Sequence, residues 1–492
     1  MLHSCLDRIP QSSAWISIFI NQLAYFNNLG HHHMTTIPKP AQKMPEKFNT
    51  LQILRGGWYT VWGVSLLLLI VSIQGVHSQR DAIKTVGDDA APSVLNSQRL
   101  KDAFADMDAS LANELLLKPG NNAQVLKDFE KNRVKIADRL VLVSKNITYP
   151  GEEKLITAIQ LNSSAYLLKL QAARDAHERR EVANALNIYR EAANLMDNDI
   201  IQRAEQLSEL NSVELDNKYA QHKSENGRIS FLIAIVGLAQ IAILVAIQIF
   251  LYRRMRRILN IPLLGATVVS VIFLGYTINS FVGATSNLRI AKEDAFNSLH
   301  ALRRMRSLSY QANADESRYL LDKKNASQHQ KSFNNKIATI IKIDPNQSNQ
   351  SIDSMITVLN QGGQVNGLTG LFADQLNNLT FTGERELAID TLKKFTNYLA
   401  IDKQIRQLYN SGKVAEAIAL CVGNNPGESN WAFNEYKDAQ TRLNALNEKQ
   451  FYLNIRIGRD RLINFEIIAA TALGSIAILT LLGLRPRLME YL

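Results

Sequence analysis

Cysteine is nearly absent. Two in 492 residues, Cys5 and Cys421, cannot make a disulfide framework. Cys421 follows Ala417, Ile418 and Leu420 and reads as a small buried hydrophobe. Absent too are a Walker loop, a dinucleotide fingerprint, a nucleophile elbow and any zinc spacing among the nine histidines. These gaps argue against an enzyme and against a bound cofactor. Acidic residues are in deficit: 45 against 55 basic ones leave a net charge of +10. Such an excess suggests nucleic acid until its position is considered. Lys39, Lys43, Lys47 and Arg55 less Glu46 carry +3, Arg253, Arg254, Arg256 and Arg257 carry +4, and Arg485 and Arg487 less Glu490 carry +1. These segments flank apolar runs, so membrane topology accounts for most of the charge and no nucleic-acid partner is expected.

What the chain does have is four apolar runs, at residues 57–78, 229–252, 262–285 and 462–484, each long enough to cross a hydrocarbon core of about 30 Å as a helix. Under the positive-inside rule, residues 1–56, the basic loop 253–261 and the tail 485–492 are cytoplasmic. Segments 79–228 and 286–461 then lie outside. Both read as helix with turn breaks: Leu100, Phe104, Met107, Leu111 and Leu115 recur at spacings of three and four. Pro119-Gly120, Tyr149-Pro150-Gly151 and Met196-Asp197-Asn198-Asp199 divide the first segment into four main helices. The expected fold is all-α: an integral membrane protein with four transmembrane helices and two tandem extracytoplasmic helical bundles. Residues 1–33 read as an extension upstream of a leader at Met34, and the triplet at His31 as a disordered polar stretch without partner ligands.

The two outer segments repeat one another. Gly151-Glu152, Leu155, Tyr166, Leu167, Val182-Ala183 and Ala185 match Gly383-Glu384, Leu387, Tyr398, Leu399, Val414-Ala415 and Ala417 at a constant offset of 232. Earlier in each segment, Leu100, Ala112 and Glu114 match Leu302, Ala314 and Glu316 at 202, the same offset that aligns Arg55 with Arg257. The second segment is therefore longer by 30 residues, placed between Asn325 and Gly383 in a stretch rich in Asn, Gln, Ser and Gly that should lie away from the membrane.

Residues 398–416, with Tyr409-Asn410-Ser411-Gly412-Lys413-Val414-Ala415-Glu416, followed by Leu443-Asn444-Ala445-Leu446-Asn447 on a helix entering a span, resemble the periplasmic four-helix-bundle sensor domain of methyl-accepting chemotaxis receptors. Residues 166–186 and 207–219 are similar. The stretch from Asn313 through Arg318 to Leu321 is also similar to uncharacterised bacterial four-span membrane proteins. The resemblance implies a sensor-like, receptor-like bundle, here duplicated. The sequence departs from those receptors in ending eight residues after Leu484, with no HAMP linker or signalling helix following.

Candidate contacts for a ligand or partner are Asn113, Glu114, Asp315 and Glu316, carboxylates and an amide at repeat-matched positions; a solvated or salt-bridged helix face is the competing expectation. Arg253, Arg254, Arg256 and Arg257 are candidates for anionic lipid or a cytoplasmic protein, beside their role in topology. Glu466, about a turn inside the fourth span, is a costly place for a carboxylate. Ala242 and Ala246, Ala266 and Ser270, and Ala470 and Gly474 are small pairs that would let spans approach closely. The leading expectation is a multi-pass protein of the bacterial plasma (inner) membrane, both termini cytoplasmic, whose two bundles sense a ligand or bind a membrane or cytoplasmic protein partner. The alternative is a structural or accessory subunit of an envelope or transport complex. The loop of about ten residues between spans two and three can reach at most roughly 35 Å, so the copies should pair as an intramolecular pseudo-dimer.

Overall fold

A computed structural model describes residues 50–120, 123–255, 260–344 and 351–489. The chain divides into two compact units, residues 1–55 and 56–492, and of the first only residues 50–55 are described. Residues 1–33, expected as an upstream extension, the His31 triplet and Cys5 lie outside the described residues, as do Arg256 and Arg257.

Helix α1 (Thr50–Lys84) passes through a π-helical turn (Thr85–Ala90) into α2 (Ala91–Leu116). Pro92 sits in the first turn of α2, where its missing N–H costs least. Helices α3 (Ala123–Lys145), α4 (Glu152–Glu178) and α5 (Val182–Leu195) follow, and α5 continues through a second π turn (Met196–Ile200) into α6 (Ile201–Met255). The residues 196–199 expected to break the chain only bulge the helix. The break lies instead at Arg179, Arg180 and Glu181, which carry no Gly or Pro to announce it.

The second half opens on α7 (Ile261–Arg289). Asn260 caps it by accepting from the Leu263 N–H at 3.3 Å, and Pro262 fills the first turn. A π turn (Ile290–Phe296) leads into α8 (Asn297–Leu321). Then come α9 (Ala326–Ile340), β1 (Lys342–Ile343), α10 (Ile352–Asn360), β2 (Leu368–Thr369) and α11 (Leu371–Asn377), the two strands pairing antiparallel with Lys342 opposite Thr369. Helices α12 (Glu384–Asn410), α13 (Val414–Val422), α14 (Ser429–Asp460) and α15 (Phe465–Met489) complete the chain. The chain is all-α, with four helices long and apolar enough to cross a membrane, within Thr50–Leu116, Val182–Arg254, Ile261–Leu321 and Ser429–Met489.

Hydrogen bonds recur between the halves. Glu152 accepts the backbone N–H groups of Thr148 and Tyr149, and Glu384 those of Thr380 and Phe381. At the ends of α4 and α12 the backbone closes in the same way, Glu181 N–H to the Ala176 carbonyl and Lys413 N–H to that of Leu408, both at 2.9 Å. The residue in the left-handed region is Gly412 (φ +81°) in one and Arg180 (φ +63°) in the other.

The Asn146 amide donates to the Asp89 carbonyl and the Ser93 hydroxyl, and the Asn378 amide to the Asp294 carbonyl and the Ser298 hydroxyl. Ser93 and Ser298 are 205 residues apart, as are the starts of the two π turns at Thr85 and Ile290 and the ends of α2 and α8. This corrects the offset of 202. A slip of three residues is close to one helical turn and leaves the same face inward, so the apolar pattern cannot distinguish the two registers. With 205, Glu114 matches Tyr319, Asn113 matches Arg318, and the extra length of the second half is 27 residues. The described residues of that stretch, 325–344 and 351–383, form three helices and a short antiparallel strand pair, and residues 345–350 lie outside the described residues. The stretch runs from the end of α8 back to Asn378 beside Asp294, the start of the same helix, so only its beginning lies at the far end.

Apolar cores fill both halves. Phe104, Met107, Leu111, Tyr166 and Leu170 are buried in the first, and Phe372, Phe395, Tyr398 and Tyr436 in the second. Helices α2 and α8 pack against each other between them. Among the spans, Gln240 donates to Ser65 at 3.1 Å, Gln248 to Thr267 at 2.7 Å, Trp62 to the Ala477 carbonyl at 3.2 Å and Asn260 to the Gly483 carbonyl at 2.8 Å. A Cβ on Gly75 would meet the Phe281 ring at 2.5 Å, so glycine sets that approach. Of the three small pairs, Ala266 and Ser270 face inward, whereas Ala242, Ala246, Ala470 and Gly474 are exposed. A four-residue spacing gives no phase. Glu466 pairs with both terminal nitrogens of Arg80, and Arg80 also donates to the Leu462 carbonyl at 2.7 Å.

Candidate functional site

Helix α8 is buried on almost every side from Ser309 to Leu320, because α2 covers one flank and α9, α14 and α11 cover the others. Its polar residues cannot reach bulk water and must be satisfied inside. Arg318 crosses to the first half. Its Nη2 donates to Asp108 at 2.6 Å, its Nη1 to Asp197 at 2.8 Å and to Asp315 at 3.3 Å, and its Nε to the Tyr189 hydroxyl at 3.0 Å. One guanidinium thus serves three carboxylates. Burial pushes the Asp108 carboxyl above the usual range in spite of Arg318. Lys336 donates to the second oxygen of Asp315.

The four expected contact residues take different places. Asn113 donates to Asn430 at 3.2 Å, accepts from Ser317, and faces a cavity. Glu114 is buried and accepts from Arg174 Nε at 2.9 and 3.1 Å, with that guanidinium 4.5 Å from the Phe129 ring centre. Asp315 is buried against Arg318 and Lys336. Glu316 is buried without a cation: Ser429 donates to its Oε1 at 2.6 Å and the Cys421 thiol at 3.4 Å. Arg406, which matches Arg174 at offset 232, is bound instead by Asp402 at 2.8 and 2.9 Å and lies over the Tyr319 and Phe333 rings, each 4.6 Å away. Burial, and then the Asp402 carboxylate, push the Glu316 carboxyl up.

Two cavities open at the seam between the halves. One, of about 380 Å³, is lined by Asp106, Asn113, Lys135, Asn430, Phe433 and Lys437 among others. The second, of about 500 Å³, is lined by Tyr189, Asp197, Arg318, Asp322, Gln311 and Lys336 among others. They occupy matching positions. Asp106 and Asn113 match Gln311 and Arg318 at 205, while Asn194, Asp197 and Asn198 match Asn430, Phe433 and Asn434 at 236, the offset that aligns Leu207 and Asn211 with Leu443 and Asn447 after the longer loop that follows α13. Two ion pairs exchange in the same manner: Asp88 of the first half meets Arg459 of the second at 2.7 Å, and Glu293 of the second meets Lys223 of the first at 3.2 Å.

Sequence reasoning missed Asp108, Lys135 and Lys437, which come from helices far apart in the chain and share no local signature. Arg253 and Arg254 end α6, are exposed, and border an open recess with Ala246, Ile249 and Phe250. Among the described residues no group of three His, Cys, Asp or Glu side chains is placed to hold a metal ion.

The geometry is that of an all-α protein with four helices long and apolar enough to cross a membrane and with cavities between its two halves. Residues 82–220, from the end of α1 into α6, are similar to an actinobacterial sensor domain. No curated protein and no solved structure matches the chain.

Proposed function

We propose that this is a membrane sensor made of two copies of one unit, each a span, an extracytoplasmic helical bundle and a second span, with ligand taken up between the bundles. The observation that carries the reading is the similarity of residues 82–220 to a sensor domain. The recurring cap and Asn146/Asn378 hydrogen bonds support the duplication, and the exchanged ion pairs support a pseudo-dimer within one chain. Basic flanks support a topology with both termini and residues 253–261 in the cytoplasm of a bacterial cell. Cavity residues 106–117 and 311–322 sit on helices that run without a loop into spans one and three, so a shift at the seam has a rigid path to the membrane.

The test uses cysteines at Ser65 and Gln240, which touch between spans one and two. Compounds that raise the melting temperature of the purified chain should change the rate of disulfide formation between these positions. Stabilising compounds that leave the rate unchanged would refute transmission.

A second reading, a docking subunit, is favoured by one feature. Leu161 and Leu168, seven residues apart on α4, are 69% and 73% exposed, while their counterparts in the second half are Lys393 and Ala400.

A further inference from the structure

The two matching cavities differ in charge. In the larger one every cation has an internal carboxylate: Arg318 has Asp108, Asp197 and Asp315, Arg190 has Asp322 at 2.6 Å, and Lys336 has Asp315. The Arg190 hydrogen bonds hold the Asp322 carboxyl well below the usual range. The smaller cavity is lined by Lys131, Lys135 and Lys437 with Asp106 as its one lining carboxylate, a formal charge of +2. Lys135 is bound by Asp106 at 3.1 Å and by the Asn132 carbonyl at 2.9 Å. Lys437 has no carboxylate oxygen within ion-pair distance among the described residues. Its ammonium lies 5.5 Å from the Tyr310 ring centre and 5.6 Å from that of Phe433. Burial lowers its pKa, and Arg306 and Lys135 act in the same direction against Asp106.

The difference traces to two matched pairs. Where the second half sends Arg318 across the seam to Asp197, the first half has Asn113, and the position matching Asp197 is Phe433. Asn113 is short and already tied to Asn430 and Ser317, so it leaves the space open, and with Phe433 in place of a carboxylate Lys437 has no ion-pair partner there. The remaining lining is rich in amides, Asn313, Asn424 and Asn434 among them, which suit hydroxyl or carbonyl groups.

We propose that the cavity bounded by α2, α3, α8 and α14 binds a small dianion, held by Lys437 and Lys135, and that in the matching cavity the Arg318 side chain with its three carboxylates fills the space and satisfies the charges internally. This rests on reading the seam cavities as the sensory sites. Dicarboxylates and phosphate esters share the required chemistry, and the probes separate them.

The full chain in detergent is titrated calorimetrically with malonate, succinate, glycerol phosphate and inorganic phosphate, with choline and glycerol as cationic and neutral controls. At least one dianion should bind, more weakly as salt is raised, while the controls do not. Lys437→Met should weaken that binding roughly tenfold or more, as for loss of a charged hydrogen bond, with the unliganded melting temperature kept. Lys135→Met should act in the same direction, and Gln311→Ala, in the other cavity, should leave affinity unchanged. Absence of binding by all four dianions, or binding untouched by both lysine variants, would overturn the assignment. Dianion binding that leaves the rate of disulfide formation between cysteines at Ser65 and Gln240 unchanged would instead refute transmission and leave the site standing. Choline or glycerol that binds and changes the rate while none of the dianions binds would do the reverse.

Discussion

Replacing Glu316 by Gln should flatten the dependence of stability on pH. Glu316 is buried, faces Asp402, and receives hydrogen bonds from Ser429 and Cys421 but no cation. Burial first, and Asp402 second, leave its carboxyl pushed up to about 8. A carboxyl raised in the fold keeps its proton at a pH where the unfolded chain, titrating near 4.5, has lost it. The native state then binds more protons, so stability is greatest at the acid end and falls as pH rises toward 8, by about 1.4 kcal/mol per unit. Between pH 5 and 7 the loss is about 3 kcal/mol, on the order of 5–10 °C in melting temperature for a bundle of this size. Glutamine keeps Oε1 for Ser429 and Cys421 and turns an N–H toward Asp402, as the protonated acid turns its O–H. Melting curves of the full chain in detergent, at half-unit steps from pH 5 to 8, provide the assay. The difference between the two series isolates Glu316 from Asp108, whose raised value pulls the same way, and from His300, whose value, lowered by burial to about 4, pulls the opposite way. Parallel curves, or a variant that melts below the parent at pH 8, would refute the argument.

Arg180 holds φ +63° where the second half has Gly412, so Arg180→Gly should stabilise by about 1 kcal/mol and Gly412→Ala should destabilise by a similar amount, read as opposite shifts in melting temperature. Arg318→Met leaves Asp108 and Asp315 buried with less compensation and should cost about 3–5 kcal/mol, partly recovered by Asp108→Asn; equal melting of single and double variants would argue against a charge origin. With native cysteines removed, a cysteine at Ser354 should react with an impermeant thiol reagent in spheroplasts and one at Arg253 should not, and the reverse pattern would invert the topology.

The parts of this fold legible in the sequence were those written as local period or punctuation. Leu100, Phe104, Met107, Leu111 and Leu115 are all buried, as a three-and-four spacing requires, and Gly151 and Gly383 mark real helix starts. The bulge at residues 196–200 reads as a turn in the sequence because Asp-Asn-Asp is good turn chemistry wherever it occurs. Polar residues of α8 defeated the reading for another reason. A helix with Asn313, Asp315, Glu316 and Arg318 is expected to show that side to solvent, and contact with α2 from the other half and with α9, α13 and α14 of its own removes the solvent. The cavity lysines were illegible because Lys135 and Lys437 are 302 residues apart and each sits in an ordinary basic context.

Arg318 and Asn113 occupy matching places on one polypeptide. In an assembly of two identical chains a change at one such position would be copied into both cavities at once, so that an arginine strut in one recess would entail an arginine strut in the other. Carrying both halves on a single gene lifts that constraint. On the proposed duplication, one seam can be surrendered to rigidity while the other stays available for specialisation, and the stoichiometry of the pair does not depend on how much protein the cell makes.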